Sequence, residues 1–320
     1  MILIITGTQD ATADYLLPFL VRSGFACLRL DTDTLLSRSC FSYEAGIPVI
    51  EWEGCRHSPE VFSNVWYRRP ERLEDERFSG SPEGQYVLDE WAAALEGFLA
   101  HIPKARWMNH PSCNAAASRK LEQLSTAQIL GLRVPDTLLT QNESKLRKFF
   151  ADHNGRVVVK PLSTGYIKRS GEQTDSLIYS NLVPEAFLHS LEDLSLCPTL
   201  FQQFIDKKSD VRITVVDEDM IAVELCGLDD NGVQLCDIRR NNMKGVSYSR
   251  VPLPPDVQSS LAALVRNYGL RFAAIDMVVS RDGEWYFLEV NPNGQWAWLD
   301  LALGPRIAES FVKAFSERRE

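Results

Sequence analysis

In the run Phe272-Ala273-Ala274-Ile275-Asp276-Met277-Val278-Val279 one carboxylate interrupts an otherwise apolar strand. Burying it unpaired is costly, so Asp276 calls for a cation or for hydrogen-bond donors. The next run, Trp285 to Pro292, sets Glu289 and Asn291 two positions apart, hence on one face of an extended chain. If the two runs form a hairpin around Asp282-Gly283, Asp276 joins them. Three hard oxygen donors then converge in a set that Mg²⁺ accepts alongside water and phosphate. Each of these acids alone reads as readily as a turn cap or an arginine's partner; the trio points to a metal.

Lys160 ends a Val-Val-Val strand, where its stem can pack while the ammonium projects toward a ligand such as phosphate. Lys120, read as mid-helix, is a second cation of this kind. Gln202-Gln203-Phe204-Ile205 runs from an apolar strand into a polar connection, and such a segment can offer backbone N–H and C=O groups to an adenine edge. Asp210 and Arg212 follow two residues apart. Arg212, Arg239 and Arg240 supply fixed positive charge able to grip a carboxylate or phosphate bidentately. GxxxxGK[ST], GxGxxG, HExxH and GxSxG are all absent, so a nucleotide would not be held by a P-loop.

The elements that must position these groups fit a globular chain. At 320 residues and 45% apolar composition it can bury one or two sizeable cores. The 34 basic and 43 acidic residues leave a net charge of −9, which excludes a general nucleic-acid surface but allows a local positive pocket. Seven cysteines without a CxxC pair indicate reduced filler rather than a disulfide framework or a zinc site. Met1–Thr6 lacks a basic lead-in and turns polar too soon for a signal peptide, and no apolar run is long enough to span a bilayer; the expectation is a cytoplasmic protein without a membrane partner.

Along the chain, Ile2–Thr6, Leu16–Ser23 and Ala26–Leu30 make a βαβ pattern, and Val65–Pro70 and Val87–Leu99 read as a strand and a helix in a block closing near residue 110. Asn114–Gly131 reads as one helix, followed by strand Thr137–Thr140, helix Asn142–Asn154 and strand Arg156–Lys160. The glycine-punctuated stretch after Pro161 looks like a mobile lid. Thr199–Ile205, Val211–Val216, Met220–Cys226, Val233–Ile238, Phe272–Val279 and Trp285–Val290 read as strands, with a hairpin turn at Asp229-Asp230-Asn231-Gly232. Helices near Pro255–Tyr268 and Pro305–Ser316 complete an α+β unit.

Together these residues resemble the ATP-grasp superfamily, and the strings WYRRP (66–70), NHPSCNAAASRKLEQLSTAQILGLRVPDT (109–137), VVVKPL (157–162), DVRITVV (210–216) and LEVNPNGQWAWLD (288–300) are similar to the microviridin-type peptide ligases, or graspetide synthetases. The resemblance implies an α/β and α+β chain with an ATP-grasp fold: a pre-ATP-grasp βαβ domain over 1–112, a central domain over 113–200 with a mobile loop at 162–172, and a C-terminal domain over 201–320 with the metal site. It implies ATP and Mg²⁺ as cofactors. Lys120 and Lys160 would contact phosphates, Gln202 to Ile205 and Asp210 would hold the nucleotide, and Asp276, Glu289 and Asn291 the metal. Arg212 and Arg239, with Lys160, would serve the transferred phosphate or the acceptor carboxylate. Gln203 stands where many such enzymes carry a glutamate, which leaves the backbone contact as the expected one.

The activity so implied is ATP-dependent activation of Asp or Glu side chains in a ribosomally made precursor peptide, leader plus core, as acyl phosphates. An intramolecular ω-ester or ω-amide then closes. The leader would lie beside Met220–Ile238, and the enzyme would be a homodimer. Two other readings compete: an amino-acid or protein-glutamate ligase of the same chemistry, which would turn over ATP without a precursor, and a non-catalytic module that binds nucleotide and peptide without releasing ADP.

Overall fold

The computed structural model describes every residue except 79, 164, 168–175, 230, 231, 233, 242 and 318–320, with the side chains of 76, 240 and 241 also undescribed. The chain begins with β1 (Ile2–Thr6), buried along its whole length, as a central strand covered on both faces must be. Helix α1 (Ala11–Arg22) follows, its first turn capped by the Asp10 carboxylate, which accepts from the Thr12 and Ala13 N–H groups. After β2 (Cys27–Asp31) and the short α2 (Leu35–Arg38) come β3 (Ser39–Glu44), β4 (Ile47–Trp52) and β5 (Cys55–His57), an antiparallel meander that the sequence reading did not anticipate. Strand β6 (Asn64–Tyr67) completes a parallel sheet of order β2-β1-β6, and α3 (Pro82–Leu99) closes over it. Leu3, Ile5 and Val65 pack with Phe98 and Leu99 of α3, while Ile2, Ile4 and Trp66 face a second core shared with the C-terminal elements.

The stretch Asn114–Gly131 is two helices rather than one: α4 (Pro111–Ala117) and α5 (Lys120–Ile129), separated at Ser118 and Arg119. Side chains replace the helical bonds at the break. The Ser118 hydroxyl donates to the Asn114 carbonyl at 2.7 Å, and the buried Gln123 amide donates to the Ala117 carbonyl. Gln123 also exchanges two hydrogen bonds with the backbone of Val290. Lys120 is therefore the first residue of α5, not mid-helix. Next come β7 (Thr137–Thr140), α6 (Glu143–Asp152), β8 (Val157–Lys160), the short pair β9 (Tyr166–Ile167) and β10 (Ser176–Leu177), β11 (Asn181–Leu182) and β12 (Thr199–Gln203). An antiparallel sheet of order β11-β8-β12-β7 buries Val157, Phe201 and Leu146 on its α6 side. Of the expected mobile loop, residues 164 and 168–172 lie outside the described residues.

Strands β13 (Lys207–Val216), β14 (Asp219–Cys226), β15 (Ser247–Arg250), β16 (Phe272–Ser280) and β17 (Trp285–Asn291) form a five-stranded antiparallel sheet of order β15-β14-β13-β16-β17. Helices α7 (Pro255–Asn267), α8 (Ala297–Leu303) and α9 (Arg306–Ser316) complete the chain. Val211, Ile213, Ala273, Ile275 and Met277 bury one face against Leu124 of α5 and Leu261 and Leu264 of α7. At one end of the other face Val216, Phe272 and Ala274 pack against Trp296 and Phe311 and thence against the first sheet. Polar groups occupy the rest of that face.

The expected strand Val233–Ile238 is not observed: β14 pairs with β13 and β15, and the described part of 227–246 holds one isolated bridge, Leu228 with Gln234. Gln234 spends its side chain on the end of β14, accepting from the Gly227 N–H and donating to the Leu225 carbonyl. Asp230 and Asn231 of the expected turn lie outside the described residues. Among the described residues no helix is long and apolar enough to cross a membrane.

Candidate active site

The β16–β17 hairpin turns at Gly283, whose φ of +90° is open to glycine at little cost. Its register sets Asp276 opposite Glu289 and Ala274 opposite Asn291, so all three oxygen-bearing groups share one face. A register shift between Asp276 and Met277 makes this possible. Leu288 is the extra residue of this bulge; in unbroken pairing Glu289 would stand opposite Ile275, on the core face of Phe287. On the other side β13 places Arg212 opposite Asp276. Its Nη1 donates to both carboxylate oxygens at 2.7 and 2.8 Å, and its Nη2 donates to the Gln295 carbonyl at 3.0 Å.

Four cations gather on this pair of acids. Lys120 Nζ lies 3.5 Å from Glu289 Oε2 and donates to the carbonyls of Pro161 and Ser163. Lys160 ends β8 on the sheet face shared with Val158 and Gln202, by the alternation of strand side chains. Its ammonium is pushed below the usual lysine range by burial, opposed by the Glu289 charge and assisted by Lys207 and Lys120. Arg239 is held by Asp237 through 2.8 and 2.6 Å hydrogen bonds and feels both Asp276 and Glu289. Burial works against the Glu289 carboxylate, yet Lys120, Lys160, Arg212 and Arg239 together hold it below its ordinary value. For Asp276 burial dominates and the nearby Glu289 charge adds to it, so its carboxyl is raised despite Arg212.

These groups fit a magnesium-nucleotide in donor chemistry. Two carboxylates and one amide oxygen are hard donors of the kind Mg²⁺ takes, and four surrounding cations match a triphosphate. Asn291 is the most exposed of the three, its Oδ1 accepting from the Asn293 N–H at 3.0 Å. Arg240 was a further expected cation; its side chain lies outside the described residues.

Away from the charged cluster, residues 204–206 link β12 to β13 and so join the two sheets. The N–H groups of Gln203 and Phe204 are taken by the carbonyls of Asp136 and Arg156 at 2.8 and 2.9 Å. Among the described residues neither the Ile205 nor the Asp206 N–H has a protein partner. Gln202 carries its side chain on the Lys160 face, bonded to Thr137 Oγ1, whereas Gln203 shares the face of Phe201 turned toward α6. Two surface depressions of about 480 and 470 Å³ adjoin Gln203 and Tyr286, and neither is lined by Lys160, Asp276 or Glu289. The candidate site is marked by its charges instead.

Several partners escaped the sequence reading. Lys207, 7% exposed, donates to both oxygens of Asp210 at 2.8 and 2.7 Å and to the Cys236 carbonyl. Gln234 donates to the same Asp210 carboxylate. Two adjacent lysines in the sequence do not say which points inward; the bulge between Lys207 and Ser209 decides it. Asp237 and the buried Arg68 also lie outside the expected set, although Arg68 stands in the WYRRP string.

Gly294 is where the Pro292–Gln295 turn touches the sheet. A Cβ there would stand 2.3 Å from the Ala274 Cβ and 2.8 Å from Arg212 Nη2. Gly294→Ala is expected to destabilise the protein by roughly 1–3 kcal/mol through this overpacking, as denaturant unfolding would measure. Unchanged stability would mean that the turn is looser than its contacts imply.

Residues 122–291 match the family model of the prokaryotic glutathione synthetase ATP-grasp domain. No curated protein sequence matches the chain. Among solved structures the chain is similar to macrocyclase MdnC of Microcystis aeruginosa MRC bound with precursor peptide MdnA, at 26% identity and a TM-score of 0.85 over 99% of both chains. It is also similar to a RiPP-associated ATP-grasp ligase of Chryseobacterium gregarium in complex with ADP and a leader and core peptide, at 29% identity and a TM-score of 0.85 over 100% of this chain and 98% of that one. Macrocyclase MdnB of Microcystis aeruginosa MRC matches at 27% identity and a TM-score of 0.76 over 98% of both chains.

Proposed function

This chain belongs to the prokaryotic glutathione synthetase ATP-grasp family, and from that premise we propose that it is a peptide macrocyclase that spends ATP to cross-link a ribosomal precursor peptide through Asp or Glu side chains. The observation that carries the reading is the convergence of Lys120, Lys160, Arg212 and Arg239 on the Asp276–Glu289 pair. A cluster of that composition neutralises a transferring phosphoryl group, and phosphoryl transfer asks chiefly for positioning and charge compensation. The full-length likeness to two peptide-bound ligases supports a peptide as the acceptor.

In this proposal Asp276, Glu289 and Asn291 hold Mg²⁺, which supplies charge neutralisation at the phosphates. Lys120 and Lys160 bind phosphate oxygens, Asp210 orders the nucleotide end of the cleft through Lys207, and the Ile205 N–H with neighbouring backbone carbonyls meets the adenine edge. A peptide carboxylate oxygen attacks the γ-phosphorus and ADP leaves, forming an acyl phosphate beside Arg212 and Arg239. A Ser or Thr hydroxyl or a Lys amine then attacks the acyl carbon, phosphate departs, and the nucleophile gives up its proton. The proposal assigns 1–112, 113–200 and 201–320 as the three domains. It includes a homodimer, which light scattering checks, and it places the reaction in the cytosol, where ATP and newly made peptide meet.

With Mg-ATP and the precursor encoded beside the gene, the purified protein is expected to release one ADP, and the peptide to lose one water, per ring formed, as mass spectrometry reads. ADP release on free amino acids alone would replace the peptide reading with an amino-acid ligase. Peptide binding without ADP release would replace it with a binding module.

A further inference from the structure

We propose that Arg68 is a positioning residue for the metal-nucleotide site, acting from the end of β6 through the Asn293-Gly294-Gln295 turn. Arg68 is fully buried. Its Nη1 donates to the Asn293 carbonyl and its Nη2 to Gln295 Oε1 at 2.7 Å, while Nε lies 3.3 Å from Asp10 Oδ2. Gln295 Oε1 also accepts from the Thr12 hydroxyl at the start of α1, so donors from the ends of two elements of the first sheet's domain, β6 and α1, grip one side-chain oxygen.

The same turn bears on the site from its other side. The Gln295 carbonyl accepts from Arg212 Nη2, the Asn293 N–H donates to Asn291 Oδ1, and Asn114 Nδ2 donates to Asn293 Oδ1 at 3.2 Å. Gly294 lets the turn lie against Ala274 and Arg212 with no side chain between. Arg68 thus stands one rigid turn away from both Arg212 and Asn291. Burial pulls its guanidinium down to about 10, with Asp10 opposing and the charges of Arg69 and Arg212 adding. A buried guanidinium so placed is a poor device for stability alone, because desolvation offsets the gain from Asp10. What the planar fork supplies is register, two fixed bonds to one turn.

The inference rests on the ligase reading of the site. Arg68→Lys keeps a charge beside Asp10 but cannot reach the Asn293 carbonyl and Gln295 Oε1 together, and Gln295→Ala removes one acceptor from the other side. Each is expected to lower kcat by roughly 10–100-fold, the range found when a supporting hydrogen bond to a metal ligand is lost, with the peptide KM nearly unchanged. The double variant is expected to be no worse than either single one, since both break the same connection. Calorimetric titration with Mg-ADP gives a second readout that needs no turnover, and uptake by both single variants should be weakened.

Multiplying effects in the double variant, or Mg-ADP uptake equal to wild type in Arg68→Lys, would overturn the proposal. A lowered melting temperature with unaltered Mg-ADP uptake would also overturn it, assigning Arg68 to stability. If Arg68→Lys does not fold, the partly exposed Gln295→Ala carries the same test through its kcat and Mg-ADP uptake. A wild-type protein that takes up Mg-ADP but modifies no peptide sinks the macrocyclase reading, and the titration still decides on Arg68.

Discussion

Glu289→Gln is expected to lower cyclisation by about 10³-fold or more, equivalent to about 4 kcal/mol of lost transition-state stabilisation, while precursor binding stays near wild type. Glutamine keeps the shape but replaces one carboxylate oxygen with an N–H₂ donor, which repels a metal and finds no acceptor among ammonium and guanidinium groups. The change also removes the charge on which Lys120, Lys160, Arg212 and Arg239 all act. Without nucleotide, four cations would then face Asp276 alone, so the melting temperature should fall and be partly restored by Mg-ATP. Water loss from the peptide, followed by mass spectrometry beside a fluorescence binding assay, checks both halves. Cyclisation at the wild-type rate would remove Glu289 from the metal site.

Lys160→Met is expected to separate activity from stability. Methionine preserves most of the packed stem on β8 and deletes the ammonium, so ADP release should drop by roughly 10²–10³-fold, the cost of losing one charge-stabilising donor. Stability without nucleotide should stay level or rise, because burial already lowers the pKa of Lys160 below its ordinary value. With a lowered folded pKa, the unfolded chain binds more protons at this residue between that pKa and the ordinary lysine value. Wild-type stability therefore gains as pH rises through that window, and the advantage of Lys160→Met should shrink with it. Denaturant unfolding at several pH values reads the trend. A variant that unfolds easily yet turns over normally would make Lys160 a structural residue.

Both variants concern residues that local chemistry exposes in the sequence. Asp276 and Glu289 stand in strands too apolar to hold a carboxylate without cause, and Lys160 ends a run of three valines. Two apolar runs separated by Asp282-Gly283 suggested a hairpin without requiring it, and the register of β16 with β17 supplies it; the βαβ start followed from short-range patterns. The helix over 114–131 was read too long because propensity favours its continuation at Ser118. The Ser118 hydroxyl and the Gln123 amide, bonded to carbonyls of the preceding turn, overrule that preference.

Residue type and spacing alone singled out an oxygen-donor set, two lysines and several arginines as candidates for a metal-phosphate site, and set Asp276, Glu289, Asn291, Lys160 and Arg212 on strands. Only the tertiary structure decided which partners hold them. The bulge at Leu288 puts Glu289 on the cleft face, that at Lys207 turns its ammonium onto Asp210, and Gln234 caps β14 instead of extending a ladder. Arg68 reaches the turn after Asn291 from 225 residues away. The physical reason is that side-chain identity acts locally, whereas register shifts and buried ion pairs are settled by packing between segments that no sequence window contains.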